Sequence, residues 1–203
     1  VIKALAIYLD QEQTAIAHKL MGKWDPHQET MHSMFALESH LDKNYLPYPF
    51  FLAYQLDAEP ETLEEIQNWL IEKKLDGIRG QIIVRNDEIF VWSRGEDLLT
   101  DKFPEFSPLR TLLPNGTVID GEIIPWKEGR PLPFQLMQTR IGRKKISPKY
   151  LKDAPLVMVC FDVLEWKGQD LRDTPLEERR EILKNIISST GENCLILSEA
   201  LEF

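Results

Sequence analysis

The hydrophobic period of this chain changes once, at Asn44-Tyr45-Leu46-Pro47-Tyr48-Pro49, and that change limits the folds open to it. Pro47 and Pro49 fix φ and remove two backbone donors, so neither a helix nor a strand ladder runs through the segment. Ahead of the break, apolar residues recur at helical spacing. Asp10 is placed to cap a helix carrying Ala15, Ile16, Leu20 and Met21 and ended by Gly22. A second helix after Pro26 carries Met31, Met34, Phe35 and Leu41, positions that read as core. Beyond the break, residues 60–71 predict an amphipathic helix with Leu63, Ile66, Trp69 and Leu70 on one side. Strand patterning then takes over. Gly80 to Arg85 and Glu88 to Ser93 alternate around Asn86-Asp87, which predicts a β-hairpin. Thr117 to Ile124 and Leu156 to Leu164 predict two more strands, and Cys194-Leu195-Ile196-Leu197 another. Thr174-Pro175-Leu176-Glu177 has the form of a capping box opening a helix that runs through Ile187. The expectation is a helical segment over residues 1–45 followed by an α+β domain over 46–203.

With 203 residues, the chain suits one domain of ordinary size or one and a fraction. Its 43% hydrophobic and 28% charged residues read as soluble and globular, and no apolar run approaches the roughly 20 residues that span a bilayer. The opening residues lack the pattern of a signal peptide, and without an initiator Met the chain is expected to begin inside a longer one. Cys160 and Cys194 lie in apolar runs with no metal-ligand spacing, which predicts two buried thiols in a reducing cytoplasm. The net charge of −9 argues against a generally basic nucleic-acid surface. Arg140, Arg143, Lys144, Lys145, Lys149 and Lys152 nevertheless form a cationic block free of acids. Taken alone, such a block reads as a solvated face.

Four short constellations carry the chemistry, and their order matters more than any one of them. The first is Glu72-Lys73-Lys74-Leu75-Asp76-Gly77-Ile78-Arg79, ahead of the hairpin. A lysine among acids and cations can be poised as a nucleophile. The same residues also describe a charged turn, because Asp-Gly is an ordinary hairpin signal. Ser93-Arg94-Gly95 follows at the end of the hairpin, then Asp120-Gly121-Glu122 in one strand and Phe161-Asp162 in another. Alternation puts Asp120 and Glu122 on one strand face, either solvated or gathered around something positive. A phenylalanine in an apolar strand is by default core.

In this order the motifs resemble those of the covalent nucleotidyltransferases, specifically the ATP-dependent DNA ligases of bacterial type. Lys74 to Arg79 resembles their KxDGxR nucleophile motif, and Ser93-Arg94-Gly95, Asp120-Gly121-Glu122 and Phe161-Asp162 resemble the motifs that follow it. Phe134-Gln135, Arg140-Ile141-Gly142-Arg143 and Gly168 to Arg172 are similar to intervening stretches of these enzymes. The resemblance covers residues 50–203, and the helical start is similar to the tail of the DNA-binding domain that precedes catalysis in the family. It implies an adenylation domain of antiparallel sheets with flanking helices. The chemistry it implies is a lysyl-AMP intermediate used to seal nicks in duplex DNA, in repair, replication and recombination.

By this resemblance Lys74 is the catalytic amine that attacks the α-phosphate of ATP. Glu72 sits at the adenine edge, Asp76 holds the loop or contacts the nucleotide, and Gly77 lets the backbone approach the ligand. Arg79 and a bound Mg²⁺ supply positive charge beside the phosphates. Arg94 contacts phosphate or ribose, Glu122 serves the ribose or the metal, and Phe161 stacks on adenine. Arg140, Arg143, Lys144 and Lys145 become contacts for DNA phosphates near the nick. Two later cation-bearing motifs of the family and its OB-fold domain do not occur in these residues. A fragment truncated within the adenylation domain is therefore expected, one that carries out little or no complete ligation alone, and a monomer. An RNA ligase, a capping-type nucleotidyltransferase and a non-catalytic DNA-binding fragment are the alternatives.

Overall fold

A computed structural model describes residues 2–10, 45–59, 68–95, 97–143, 146–191 and 193–201, with positions 16, 30, 62, 63 and 65 besides. The helix expected over Ala15 to Gly22, apart from Ile16, and the one after Pro26 lie outside the described residues. A short helix, α1 (Ile2–Leu9), opens the chain, and Asp10 follows it with φ of 50°.

The hairpin forms as the alternation requires. β1 (Ile78–Arg85) and β2 (Glu88–Ser93) pair antiparallel from Gly80↔Ser93 to Arg85↔Glu88. Asn86 and Asp87 both take positive φ, 53° and 59°, which is the two-residue turn whose twist matches a right-handed ribbon. Two single turns of 3₁₀-helix and α2 (Leu109–Leu112) lead to β3 (Thr117–Lys127), which pairs antiparallel with β1. After the short β4 (Arg130–Pro131) come α3 (Gln135–Ile141) and α4 (Pro148–Asp153). β5 (Leu156–Trp166) pairs antiparallel with β3, and β6 (Gln169–Asp170) with β5. α5 (Leu176–Thr190) then crosses over the sheet to β7 (Leu195–Leu197), which joins β5 in parallel. A parallel partner requires such a crossover, because no tight turn can reverse the chain twice. Among the described residues the sheet has seven strands in the order β2-β1-β3-β5-β6, with β4 on β3 and β7 on β5.

Each face of the sheet is covered differently. One face carries Ile82, Val84, Val91, Ile119, Ile123, Met158 and Val163 and packs under Phe103, Phe106, Leu109, Met137, Leu183 and Ile186 from the helical segments. On the other face Ile83, Trp92 and Val118 are covered by Tyr45, Leu46 and Tyr48. Trp92 Nε1 donates to Tyr45 O at 2.7 Å, and Gln81 exchanges hydrogen bonds with the backbone N–H and C=O of Tyr48 at 2.8 and 3.1 Å. The proline-rich break therefore packs as a strap against the sheet.

Two expectations fail locally. Among the described residues of 60–71 there is no α-helix; Thr62 and Asn68 lie in isolated 3₁₀ turns, and Trp69 is 48% exposed. The capping box also does not form. Pro175 occupies the N-cap with no side-chain cap, and Thr174 stands one residue too early. Glu177 and Glu178 in the first turn still suit the helix dipole. Cys160 and Cys194 are buried and form no disulfide.

Candidate active site

The segment before β1 is extended and tied down at its start. Glu72 forms a β-bridge with Ala200, and Leu201 N–H donates to Ile71 O at 2.8 Å. Lys74 and Asp76 are exposed, and the chain enters β1 through Gly77. A Cβ on Gly77 would lie 2.5 Å from both Ile123 O and Ile124 Cγ2. Glycine is thus required by the close approach to β3, a reason different from the approach to a ligand expected from the motif.

Register then sets the charges. Arg79 lies opposite Glu122 and Gln81 opposite Asp120, so these four side chains share one face. Arg79 holds Asp120 through Nε–Oδ1 at 3.2 Å and Nη2–Oδ2 at 3.0 Å, while Nη1 donates to Phe51 O. Its guanidinium stands 5.3 Å from the ring centre of Phe161 and 5.8 Å from that of Phe50. The two acids of Asp120-Gly121-Glu122 are therefore gathered around a cation. Burial raises the Asp120 carboxyl, opposed chiefly by Arg79. Burial likewise raises that of Glu122, opposed by the Gly77 N–H and by the charges of Lys74, Arg79 and Arg94.

Phe161 stands in a bulge of β5. Gly121 pairs with Cys160 and Asp120 with Asp162, so Phe161 is an extra residue on β5 with no partner on β3. Alternation from Val159, which lines the cleft described below, puts Phe161 on that face, and the extra residue keeps Asp162 there too before Val163 returns to the core. Phe161 lines a cleft of about 540 Å³. Glu72, Lys74, Asp76 and Gly77 line the same cleft from the segment before β1, with Arg79 and Glu122 from the sheet and Arg94 from the turn after β2. All eight positions expected at the nucleotide therefore converge on one concavity. Ala53, Val159 and Ser198 also line it, and sequence reading did not single them out. Nothing in their residue types marks them.

The basic block is divided. Arg140 is fully buried, which removes it from the set expected to touch DNA. Its Nε donates to Lys102 O at 2.9 Å, Nη1 to Glu105 Oε1 at 2.6 Å and Ala154 O at 3.3 Å, and Nη2 to Glu105 Oε2. It cross-links three loops from beneath. Arg143, three residues on, is exposed and stands over the ring of Tyr150 at 4.8 Å. Lys149 and Lys152 are exposed on α4, and Lys144 and Lys145 lie outside the described residues. Among the described residues no group of three or more His, Cys, Asp or Glu could hold a metal by itself.

A profile of the ATP dependent DNA ligase domain matches residues 50–201. The chain is 37% identical over 142 residues to a probable DNA ligase of Koribacter versatilis, a match covering 70% of this chain and 25% of that protein. It is 33% identical over 145 residues to DNA ligase 1 of Korarchaeum cryptofilum, covering 70% and 27%. Among solved structures, mycobacterial DNA ligase D complexed with ATP and MES is similar at a TM-score of 0.51 and 27% identity. That similarity covers 64% of this chain and 40% of the other. The chain thus spans about a quarter of the length of these curated relatives.

Proposed function

The chain belongs to the ATP-dependent DNA ligase family, and from that premise we propose that its cleft takes AMP from ATP onto Lys74 for the sealing of nicked duplex DNA. The free-base Nζ of Lys74 attacks the α-phosphorus in line with the departing group. An N–P bond forms, the bond to the β-phosphate oxygen breaks, pyrophosphate leaves with the electron pair, and the amine sheds a proton to solvent. A 5′-phosphate oxygen at the nick then attacks the same phosphorus, and Lys74 leaves and regains its proton. The 3′-hydroxyl finally attacks the activated 5′-phosphate, AMP departs, and a phosphodiester remains. ATP is consumed, so it is a substrate here.

Each neighbour has a part suited to its chemistry. Phe161 presents a ring face to the purine, Arg94 presents a fork to phosphate or ribose, and Asp76 keeps Lys74 in register. Magnesium binds through one or two carboxylates together with substrate phosphates, so a single half-buried Glu122 suits such a site. When bound, the ion would offset charge on the phosphates. Arg79, engaged with Asp120, acts on the nucleotide by holding the wall on which Phe161 stands. Arg143, with Lys144, Lys145, Lys149 and Lys152, meets DNA phosphates. We place the nucleotidyltransferase unit over residues 46–203, acting as a monomer in the cytoplasm in DNA repair and replication; among the described residues no helix is long and apolar enough to cross a membrane.

The observation that supports this reading is the convergence of eight residues, from four separated stretches of chain, on one cleft that contains a lysine. Intact-mass analysis of the full-length protein incubated with ATP and Mg²⁺ tests it. The expected result is one AMP adduct that maps to Lys74 and is absent from Lys74→Ala. An unmodified wild-type protein, or an adduct that persists in the variant, overturns it.

A further inference from the structure

α5 carries none of the four motifs, yet two consecutive arginines on it hold carboxylates at or beside the cleft. Arg179 holds Asp162 through Nε–Oδ1 at 2.8 Å and Nη2–Oδ2 at 2.9 Å, next to the bulge that carries Phe161. Arg180 Nη1 donates to Glu72 Oε1 at 2.8 Å, and its Nη2 donates to Ser198 O at 2.8 Å. The Arg180 and Glu72 side chains are only 15% and 24% exposed. One guanidinium thus ties the segment leading to Lys74 to the end of β7. A planar fork with two anchored ends fixes the rotamer of the carboxylate it holds, which a lysine ammonium cannot do.

Glu72 lines the cleft two residues before Lys74, with Oε1 held by Arg180 and Oε2 without a partner among the described residues. An ionised carboxylate accepts hydrogen bonds and cannot donate them. Held in one rotamer, it binds an exocyclic amine and repels a carbonyl oxygen in the same place. The geometry points to Arg180 as a positioning residue that aims Glu72 and thereby sets the preference for a 6-amino purine over purines without that amine. This rests on the nucleotide reading of the cleft given above. Exposure of Glu72 alone would leave it mobile and weakly selective; the selectivity comes from the clamp.

The test measures equilibrium binding of ATP and of purine riboside triphosphate, which lacks the 6-amino group, to the full-length Lys74→Ala protein. That background cannot take up AMP, so binding is read apart from chemistry. Arg180→Gln is expected to weaken ATP about tenfold, the loss of one charge-assisted hydrogen bond, and to leave the analogue within about twofold. In a Glu72→Gln background the same change is expected to add less than about twofold, because residues acting through one another are not additive. Thermal melting checks the fold; should Arg180→Gln not fold, Arg180→Lys, which keeps the charge and loses the fork, takes its place with the same expectations. Equal weakening of both nucleotides, no weakening of ATP, full additivity with Glu72→Gln, or no nucleotide binding to Lys74→Ala each overturns the proposal. Failure of wild-type protein to form an AMP adduct, with selective loss of ATP binding intact, sinks the adenylation chemistry and leaves the positioning role standing.

Discussion

At the scale of single residues, this cleft is built around charges that would repel one another without specific partners. Glu122 shows how narrow the margin is. Its carboxyl is half-buried, and burial raises it more than Gly77 N–H, Lys74, Arg79 and Arg94 together lower it. A folded-state value raised above the unfolded one means that the native state binds more protons in the window between the two, so ionising Glu122 costs stability as pH rises through that window. Below the ordinary glutamate value of 4.5 the penalty is absent. Glu122→Gln is therefore expected to raise the melting temperature at pH 8 by about 2 °C, with the gain vanishing as pH falls below the ordinary glutamate range. Calorimetric melts of both proteins across pH 4–8 check this. Adduct formation should fall in the same variant, since a site kept for function is often a site held against stability.

At the scale of elements, Arg140 and Arg143 differ in burial within a single turn of chain, and so differ in what each is expected to do. Arg140 sits at the buried end of α3, where it pairs with Glu105, whose side chain is 16% exposed. Truncating one partner leaves the other charge desolvated and unpaired. Arg140→Ala is expected to cost roughly 3 kcal/mol or more in urea unfolding. Arg143→Ala should leave unfolding nearly unchanged and weaken binding of nicked duplex to the full-length protein, with the slope of log K against log[salt] falling by about one. Equal effects of the two changes on stability would contradict this division. The hairpin was legible in the sequence because its residues alternate around a turn signal, and β3 and β5 because they are short apolar runs rich in β-branched residues. The bulge at Phe161 was not, because it arises from the register between β3 and β5 and leaves no mark in residue type. Of the helix expected over 60–71, the described positions 62, 63, 65 and 68–71 carry no α-helix, and the others lie outside the described residues.

At the scale of the whole molecule, the strap over Tyr45 to Tyr48 packs on the sheet, and the proposed unit over 46–203 is expected to need it. It covers Ile83, Trp92 and Val118 and satisfies the indole N–H of Trp92. A chain starting at residue 48 is expected to lose about 3 kcal/mol relative to one starting at 42, from exposed apolar area and an orphaned donor. Denaturant titration followed by tryptophan fluorescence checks this, and equal midpoints would place the boundary after the strap. α5 matters at the same scale, because one helix supplies the crossover to β7, part of the core and both arginine clamps on the cleft. By itself the sequence determined which chemical groups exist, their order along the chain and the strand period that brings four motifs into one sheet, since residue type and period are local properties. Only the tertiary structure decided that Arg140 is buried while Arg143 is exposed, that Gly77 serves packing, that Phe161 stands in a bulge and that Arg180 holds Glu72. Burial, register and pairing depend on what arrives from distant parts of the chain, and no window along the sequence contains both partners.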